Sequence, residues 1–558
     1  MNAARRACAS SDRTAAWHHI DWAACHRNVR RLQARIVKAT EAGRWGKVYA
    51  LQWLLTHSWS GKVIAVKRVT ENTGRLTPGV DKVTWSTPDA KAAGVLSLKR
   101  RGYTPQPLRR VSIPKSNGKL RPLGIPTMKD RAMQALYLLA LDPVSETTAD
   151  PNSYGFRKGR SAHDALEQCF NVLGKPTRSP EWVLDADIKG CFDNISHDWM
   201  LRHIPIDTVV LRKWLQAGVI EHHVLSPTEK GTPQGGIISP TVTNMVLDGL
   251  EQMLSTAFRK RKSGGQVINP KVHFIRYADD FVVTGTSRDV LATAQECIEA
   301  FLAERGLTLS PEKTTIVHIT EGFEFLGQHV RRYGDKLLIK PSKEAVQRVY
   351  RRIKDVVWAN KTAQQQNLIG LLNPIITGWV NYHRHAVASV AFHRLDHLVW
   401  HVLWQWAVRR HRNKSRRWIR RKYFRTVGTR TWTFACDLPR RKGDAPPKLM
   451  KLAYAGDTKI RRHVKVQAAM NPYSPRWEAY MEKRLTLQMA NSLRGKGRIL
   501  RLWRSQDGHC PACGELLTND TGWHVHHVIY RSQGGSDHQD NLRLLHPNCH
   551  RQLHGTDR

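Results

Sequence analysis

Two apolar runs flank a pair of acids in Phe274-Ile275-Arg276-Tyr277-Ala278-Asp279-Asp280-Phe281-Val282-Val283. That pattern predicts a β-hairpin with a tight Ala-Asp-Asp turn. The run Trp182-Val183-Leu184-Asp185-Ala186-Asp187 predicts a buried strand ending in acids. Asn117-Gly118, set between the apolar segments Val111-Ser112-Ile113 and Leu120 to Ile125, predicts a second hairpin. Helical spacing of Val29, Leu32, Ile36, Val37, Val48, Leu51, Leu54 and Leu55 predicts helices across 17–69. Further helices are predicted over 129–141, from His163 onward, from beyond Asp187 to about 218, and over 241–254 and 288–305. A long helical pattern spans 342–430. Residues 152–161 and 231–240 read as glycine-containing loops, and Thr77-Pro78-Gly79-Val80-Asp81 as a turn. The Pro/Lys/Arg-rich stretch 439–447 reads as a linker, and Gly495-Lys496-Gly497-Arg498 as a last hinge.

The 558 residues are enough for several domains, and 41% hydrophobic content is that of a folded chain. Lys+Arg number 89 against 46 Asp+Glu, a net charge of +43, which points to a polyanionic partner. No apolar run is long enough to span a bilayer and no signal peptide opens the chain, so the expectation is no membrane partner and no secretion. Of nine cysteines, Cys510, Cys513 and Cys549 cluster and the rest are scattered. That fits a reducing compartment, cytoplasmic or organellar, with one metal site.

An Asp-Asp turn alone is an ordinary solvated hairpin. A third acid, Asp187, at the end of its own strand changes the reading. Acids from separate strands suit hard divalent ions such as Mg²⁺, two of which activate a primer 3′-hydroxyl and stabilise a leaving pyrophosphate. Asp187 with Phe192, together with Tyr277-Ala278-Asp279-Asp280, resembles reverse transcriptases, and both blocks look most like the proteins encoded by group II introns.

That resemblance runs from about Trp45 to His554. It implies an α/β multidomain fold: a right-hand polymerase with fingers and an antiparallel palm sheet, a helical thumb or maturase domain, and a small ββα-metal HNH domain. The expected divisions are a helical extension at 1–75, fingers and palm at 76–340, thumb at 341–435, a DNA-binding region at 436–496 and the HNH domain at 497–558. By resemblance, Asp187, Asp279 and Asp280 hold the polymerase Mg²⁺ ions. Lys115 and Arg121 bind the triphosphate, and Gln234 in Gly231-Thr232-Pro233-Gln234-Gly235 contacts the nucleotide. Phe192 excludes a 2′-hydroxyl, favouring dNTPs. Lys313 lies near the leaving pyrophosphate, and Phe323-Glu324-Phe325-Leu326-Gly327 resembles the primer-grip strands.

Trp379, Trp400, Trp404, Trp406, Arg416, Arg417, Trp418, Arg420 and Arg421 interleave aromatic and basic residues on the predicted thumb helices. Stacking plus phosphate contact suits RNA. At least half of those Trp residues are expected in the helical core. Near the C-terminus, Cys510-Pro511-Ala512-Cys513 and His546-Pro547-Asn548-Cys549 form two matched knuckles suited to a structural Zn²⁺. Most members of the family carry cysteine where this chain has His546. Between and after the knuckles, the order His526-His527, Asn541, His550, His554 resembles HNH endonucleases. That implies His527 as general base, Asn541 fixing the loop that orients it, and His526 and His550, with His554 as a further one, as ligands of a catalytic divalent ion.

The function implied is RNA-directed DNA synthesis, assistance to intron RNA splicing, and nicking of target double-stranded DNA, with the intron copied from the nicked strand. A defence or repair reverse transcriptase with a borrowed nuclease is the rival enzyme. An RNA chaperone with a lapsed polymerase is the non-enzymatic rival.

Overall fold

The computed structural model describes residues 17–72, 74–114, 120–221, 224–263, 266–438, 449–493, 496–519 and 521–556. Three helices open it: Trp22–Glu41, Trp45–His57 and Trp59–Glu71. Asp21 and Ser58 cap two of them by accepting from the backbone N–H of Ala24 and Gly61. Their apolar faces, Val29, Ile36, Val48, Leu51 and Leu55 among them, pack on the helix Met128–Thr148, which is buried over most of its length.

That long helix shares a core with the central element, a four-stranded antiparallel sheet in the order 315–318, 182–187, 280–285, 273–277. The predicted Asp-Asp hairpin is there: strands His273–Tyr277 and Asp280–Gly285 pair with Tyr277 opposite Asp280. The predicted acid-tipped strand, Trp182–Asp187, lies against it with Asp187 opposite Asp280. The second hairpin, Leu108–Pro114 with Leu120–Ile125, extends into a separate sheet with Val219–Glu221 and Val224–Ser226. Its Asn-Gly tip and Lys115 lie outside the described residues.

A three-stranded sheet, Phe323–Phe325, Gln328–Tyr333 and Lys336–Pro341, leads into helices Lys343–Ala359, Gln365–His383, Ser389–Arg410 and Arg416–Tyr423. These share a second core. Trp406 is buried within it, and Trp379, Trp400 and Trp404 pack against its rim. Here the structure departs from the predicted helix to residue 430. Phe424–Val427 and Arg430–Asp437 form a hairpin, Phe424 opposite Phe434, and Leu449–Lys451 joins it. The stretch is rich in β-branched and aromatic residues, Thr426, Val427, Thr431, Trp432, Thr433 and Phe434, which favour strand over helix. The strand runs across the expected division at 435/436. The predicted linker 439–447 lies outside the described residues.

Two smaller departures concern helices. The stretch predicted over 241–254 divides into Ser239–Leu247 and Leu250–Ala257, because Asp248 leaves the helix to pair with Arg276. The stretch after Asp187 is three short helices, Cys191–Asn194, His197–His203 and Thr208–Leu215.

The C-terminal unit pairs strands His524–His527 and Leu542–Leu545 and adds the helix Pro547–Thr556. Of the expected hinge, Gly495 lies outside the described residues. Gly497 starts the helix Gly497–Ser505, whose Leu502 and Trp503 join the same continuous core as Trp22, Val63 and Met489. Arg30 pairs with Glu515 at 2.6 Å and Arg551 with Glu71 at 3.3 Å, seating this unit on the N-terminal helices.

Trp406 is 1% exposed and donates from Nε1 to the Asn360 carbonyl at 3.1 Å. Trp406→Ala should cost about 3–5 kcal/mol of the stability of this helical core. Denaturant unfolding followed by tryptophan fluorescence checks this.

Candidate functional site

The central sheet brings Asp187, Asp279 and Asp280 to one edge. Residues directly opposite in an antiparallel pair have Cβ atoms about 4.5–5.5 Å apart, so the Asp187–Asp280 register is itself a carboxylate pair. The connection between the hairpin strands is the two residues Ala278 and Asp279, and Ala278 takes φ +61°. Positive φ at the first of two loop residues is the requirement of a type II′ turn. The turn is braced from below. Arg276, fully buried, pairs with Asp248 at 2.5 Å and donates to Asn244 Oδ1 at 3.2 Å and to the Ala278 carbonyl at 3.4 Å.

Burial, then the charges of Asp187 and Asp279, push Asp280 up to about 6. Asp279 is raised as well, by burial first. Asp185, which the motifs did not single out, is pushed up to about 7 by burial and by Asp280, Asp187 and Glu324. Its position was legible, since residues two apart on a strand share a face. Lys313 forms an ion pair with Asp187, and that hydrogen bond holds the ammonium above its ordinary range. One lysine does not balance this many carboxylates. Oxygen donors crowded until they retain protons suit a divalent cation, so the residues fit the Mg²⁺ expected of them.

The Gly231–Gln234 loop packs on the short helix that follows Asp187. Thr232 donates from its backbone to the Phe192 carbonyl at 2.7 Å. Gly231 has φ +82°, and a Cβ there would lie 2.6 Å from the Phe192 carbonyl oxygen. Arg121 Nε donates to Gln234 Oε1 at 2.8 Å, and Gln234 Nε2 donates to the Asp193 carboxylate at 3.2 Å. Arg121, Gln234 and the newly found Asp193 thus form one polar chain beside the acids. Phe192 is only 7% exposed. Phe156 stands edge-on to it at 6.2 Å. Phe156 lies in the glycine-containing loop 152–161, a stretch similar to the family's template-contacting segment, within which the motif assignments left Phe156 without a role of its own.

A cleft of about 870 Å³ opens beyond Asp280, between Glu324 and Gly327 on one side and Arg348, Arg352, Trp379 and Tyr382 on the other. Tyr382 donates its hydroxyl to the Leu326 carbonyl at 2.8 Å, tying the helices to the strand Phe323–Phe325 and its turn.

In the C-terminal unit, the ligand atoms of Cys510, Cys513, His546 and Cys549 lie within 4.8 Å of one another, all buried. Hydrogen bonds from Cys513 and Cys549 hold the Cys510 thiol far below its ordinary range. A buried cluster that stabilises a thiolate fits Zn²⁺. His526, His550 and His554 form a second group, also within 4.8 Å. Burial and the neighbouring histidines push His550 down to about 4, leaving its imidazole neutral and able to bind a metal.

His527 stands apart from both groups. Its Nε2 meets Asp537 Oδ1 at 2.7 Å, and Arg531 pairs with the same carboxylate at 2.6 Å. Asn541 closes the intervening loop: Oδ1 accepts from the Ile529 backbone at 2.7 Å, and Nδ2 donates to the carbonyls of Ser536 at 2.8 Å and Ile529 at 3.0 Å. Asp537 and Arg531 were not singled out from the sequence.

Residues 113–330 match the family described as reverse transcriptase (RNA-dependent DNA polymerase). Residues 17–98 match the N-terminal domain of reverse transcriptase. Residues 346–424 match the group II intron maturase-specific domain, and 510–556 match HNH endonuclease. The chain is 34% identical over 310 residues to protein YkfC of Escherichia coli K12, covering 48% of this chain and 80% of that one. It is 29% identical over 329 residues to group II intron-encoded protein LtrA of Lactococcus lactis subsp. cremoris, covering 48% of this chain and 54% of LtrA. An uncharacterized 91 kDa protein in the cob intron of Schizosaccharomyces pombe is 27% identical over 408 residues, covering 58% of this chain and 49% of that protein. The matched part spans about half the length of the last two relatives. Among the described residues, no helix is long and apolar enough to cross a membrane.

Two measurements test the metal-binding chemistry. Asp280 is protonated below about pH 6, and a cation must displace that proton. Mg²⁺ binding should therefore tighten as pH rises from about 5.5 to 7.5, which calorimetric titration measures; equal affinity at both ends would remove Asp280 from the ion's ligands. Cys510→Ala or Cys549→Ala should make the chain beyond residue 497 protease-sensitive, because a structural metal contributes folding free energy. His527→Ala should leave it protected.

Proposed function

This chain belongs to the group II intron-encoded proteins, joining reverse transcriptase, maturase-specific and HNH endonuclease domains, and we propose from that premise that it copies its intron RNA into DNA at a target site that it nicks. The observation that carries the polymerase reading is Asp187 opposite Asp280, with Asp279 at the turn between. In this reading the central sheet is the palm, the hairpin 108–125 belongs to the fingers, and the helices from Lys343 to Tyr423 form the thumb. When bound by the three acids, Mg²⁺ supplies activation of the primer 3′-hydroxyl and neutralisation of the leaving pyrophosphate.

The chain's own residues do the positioning. Arg121 meets triphosphate oxygens with a guanidinium suited to bidentate contact, and Lys115 is proposed to add a second charge from the same hairpin. Gln234 orients the nucleotide from the loop that Arg121 already touches. Lys313, kept protonated by Asp187, is poised to give a proton to the departing pyrophosphate. The cleft lined by Arg348, Arg352 and Trp379 has the mixture of charge and ring surface that suits a nucleic-acid duplex.

In the HNH domain, His527 takes a proton from the attacking water, and Asn541 holds the loop on which it sits. His526, His550 and His554 would hold a divalent ion, which would supply charge stabilisation at the scissile phosphate. Cys510, Cys513, His546 and Cys549 would hold a structural Zn²⁺. The partners proposed are the intron RNA, as a ribonucleoprotein, target double-stranded DNA and dNTPs. A defence or repair enzyme has no observation in its favour, and the maturase-specific match at 346–424 counts against it.

Asp279→Ala should abolish primer extension on an RNA template while intron RNA still binds, since affinity comes from charge spread over the chain. His527→Ala should remove DNA nicking and leave primer extension on a supplied primer. Gel assays of both activities on both variants check this. Extension at near wild-type rate by Asp279→Ala would falsify the polymerase assignment.

A further inference from the structure

The turn that carries Asp279 and Asp280 has an aromatic neighbour that none of the motif assignments uses. The segment from Asn152 runs beside the strand His273–Tyr277: the Arg276 backbone donates to the Asn152 carbonyl at 3.0 Å, and Tyr154 donates to the Arg276 carbonyl at 2.9 Å. Asn244 Nδ2 donates to the Gly155 carbonyl at 2.8 Å. Gly155 touches the turn itself, since a Cβ there would lie 2.3 Å from the Ala278 nitrogen. The next residue, Phe156, is thereby delivered to the mouth of the turn.

Phe156 takes φ +59°, a conformation unusual for a bulky residue. Such conformations persist where the surroundings over-determine them, and they collect at functional sites. The surroundings here do so. Arg157, buried, pairs with Glu146 at 2.8 Å and donates to the carbonyls of Asp150 at 2.8 Å and Ser153 at 2.9 Å. Arg160 pairs with the same Glu146 at 2.8 Å. The loop is clamped on both sides of the strained residue, yet the ring it presents is not buried: Phe156 is 55% exposed.

The exposures divide the work between two rings. Phe192, the residue expected to meet the sugar, is 7% exposed, and Phe156 stands edge-on to it at 6.2 Å and 86°. We propose that Phe156 is a specificity-determining residue of the polymerase site. In this arrangement Phe192 is the buried backing, and Phe156 is the exposed face that meets the sugar of the incoming nucleotide and disfavours a ribose 2′-hydroxyl. An apolar wall rejects an added hydroxyl by volume and by denying it a hydrogen bond, a discrimination of up to about a hundredfold. This inference rests on the polymerase reading above.

The test is single-nucleotide incorporation opposite one template base, with kcat/KM measured for dATP and ATP. The proteins are the full-length chain and its Phe156→Ala, Phe156→Leu, Phe156→Tyr, Phe192→Ala and Phe156→Ala/Phe192→Ala variants, each checked for folding by thermal melting. Phe156→Ala should lower the dATP/ATP preference about tenfold, chiefly through the KM of ATP. Phe156→Tyr should retain the preference and Phe156→Leu should fall between. The double variant should lose less than the sum of the two singles, because the rings form one wall. Should Phe156→Ala fail to melt as a folded protein, Phe156→Leu carries the test. A preference within twofold of wild type in folded Phe156→Ala or Phe156→Leu overturns the proposal, as does loss of dATP incorporation with the ratio preserved. No extension by the wild-type chain would overturn the polymerase reading and this inference together. Extension with an unmoved ratio overturns this inference alone.

Discussion

Carboxylates forced together by strand register are the constraint around which the rest is arranged. Asp187 and Asp280 are paired by the sheet, and Asp279 sits in the turn that follows Tyr277. A slip of one residue would send each acid to the opposite face of the sheet. The register is secured by apolar strands on both sides and by Arg276, a buried cation that ties the hairpin to Asp248, Asn244 and the turn carbonyl. The breaking of the nearby helix at Asp248 has the same origin, since a buried guanidinium left unpaired is costly. The crowded acids at the surface of this frame retain protons or take a cation, and that is the source of the site's chemistry.

A second set of ties links distant parts of the chain to this frame. Asp164 caps the helix Ala162–Leu173 and also receives His463 Nε2 at 2.8 Å, Arg484 at 2.9 Å and the Val466 backbone at 2.7 Å. Burial opposes its ionisation, but those donors prevail and hold it down to about 2. A segment some 300 residues later in the chain is therefore fastened to the loop that presents Phe156. The zinc-type knuckles are likewise fastened to the beginning of the chain, through Arg30 with Glu515 and Arg551 with Glu71. The nuclease end is held against the N-terminal helices, a different arrangement from a module swinging on a glycine joint.

Much of the candidate chemistry was legible because it is carried by short segments. The Asp-Asp hairpin, the acid-tipped strand, the paired knuckles and the His-His…Asn…His order each depend on local spacing and on strong turn and strand preferences. The same holds for Asn541, whose side chain closes the loop after His527. The helix predicted to 430 failed for a related reason. Arg-rich spacing there mimicked an amphipathic helix, while the β-branched and aromatic residues from Thr426 to Phe434 decided the backbone through pairing with a strand lying beyond the predicted linker.

The sequence by itself determined the identity of the domains, the Asp-Asp hairpin and the acid-tipped strand, the two matched knuckles and the large positive charge, because each is written in contiguous residues or in bulk composition. Tertiary structure alone decided that Phe156 is exposed and that Phe192, edge-on to it, is buried. It also decided that Gln234 joins Arg121 to Asp193, that Asp537 and Arg531 surround His527, and that the C-terminal unit rests on the first helices. These facts depend on contacts between segments far apart in the chain, whose geometry is set by the packing of whole elements and leaves no periodic trace in the order of residues.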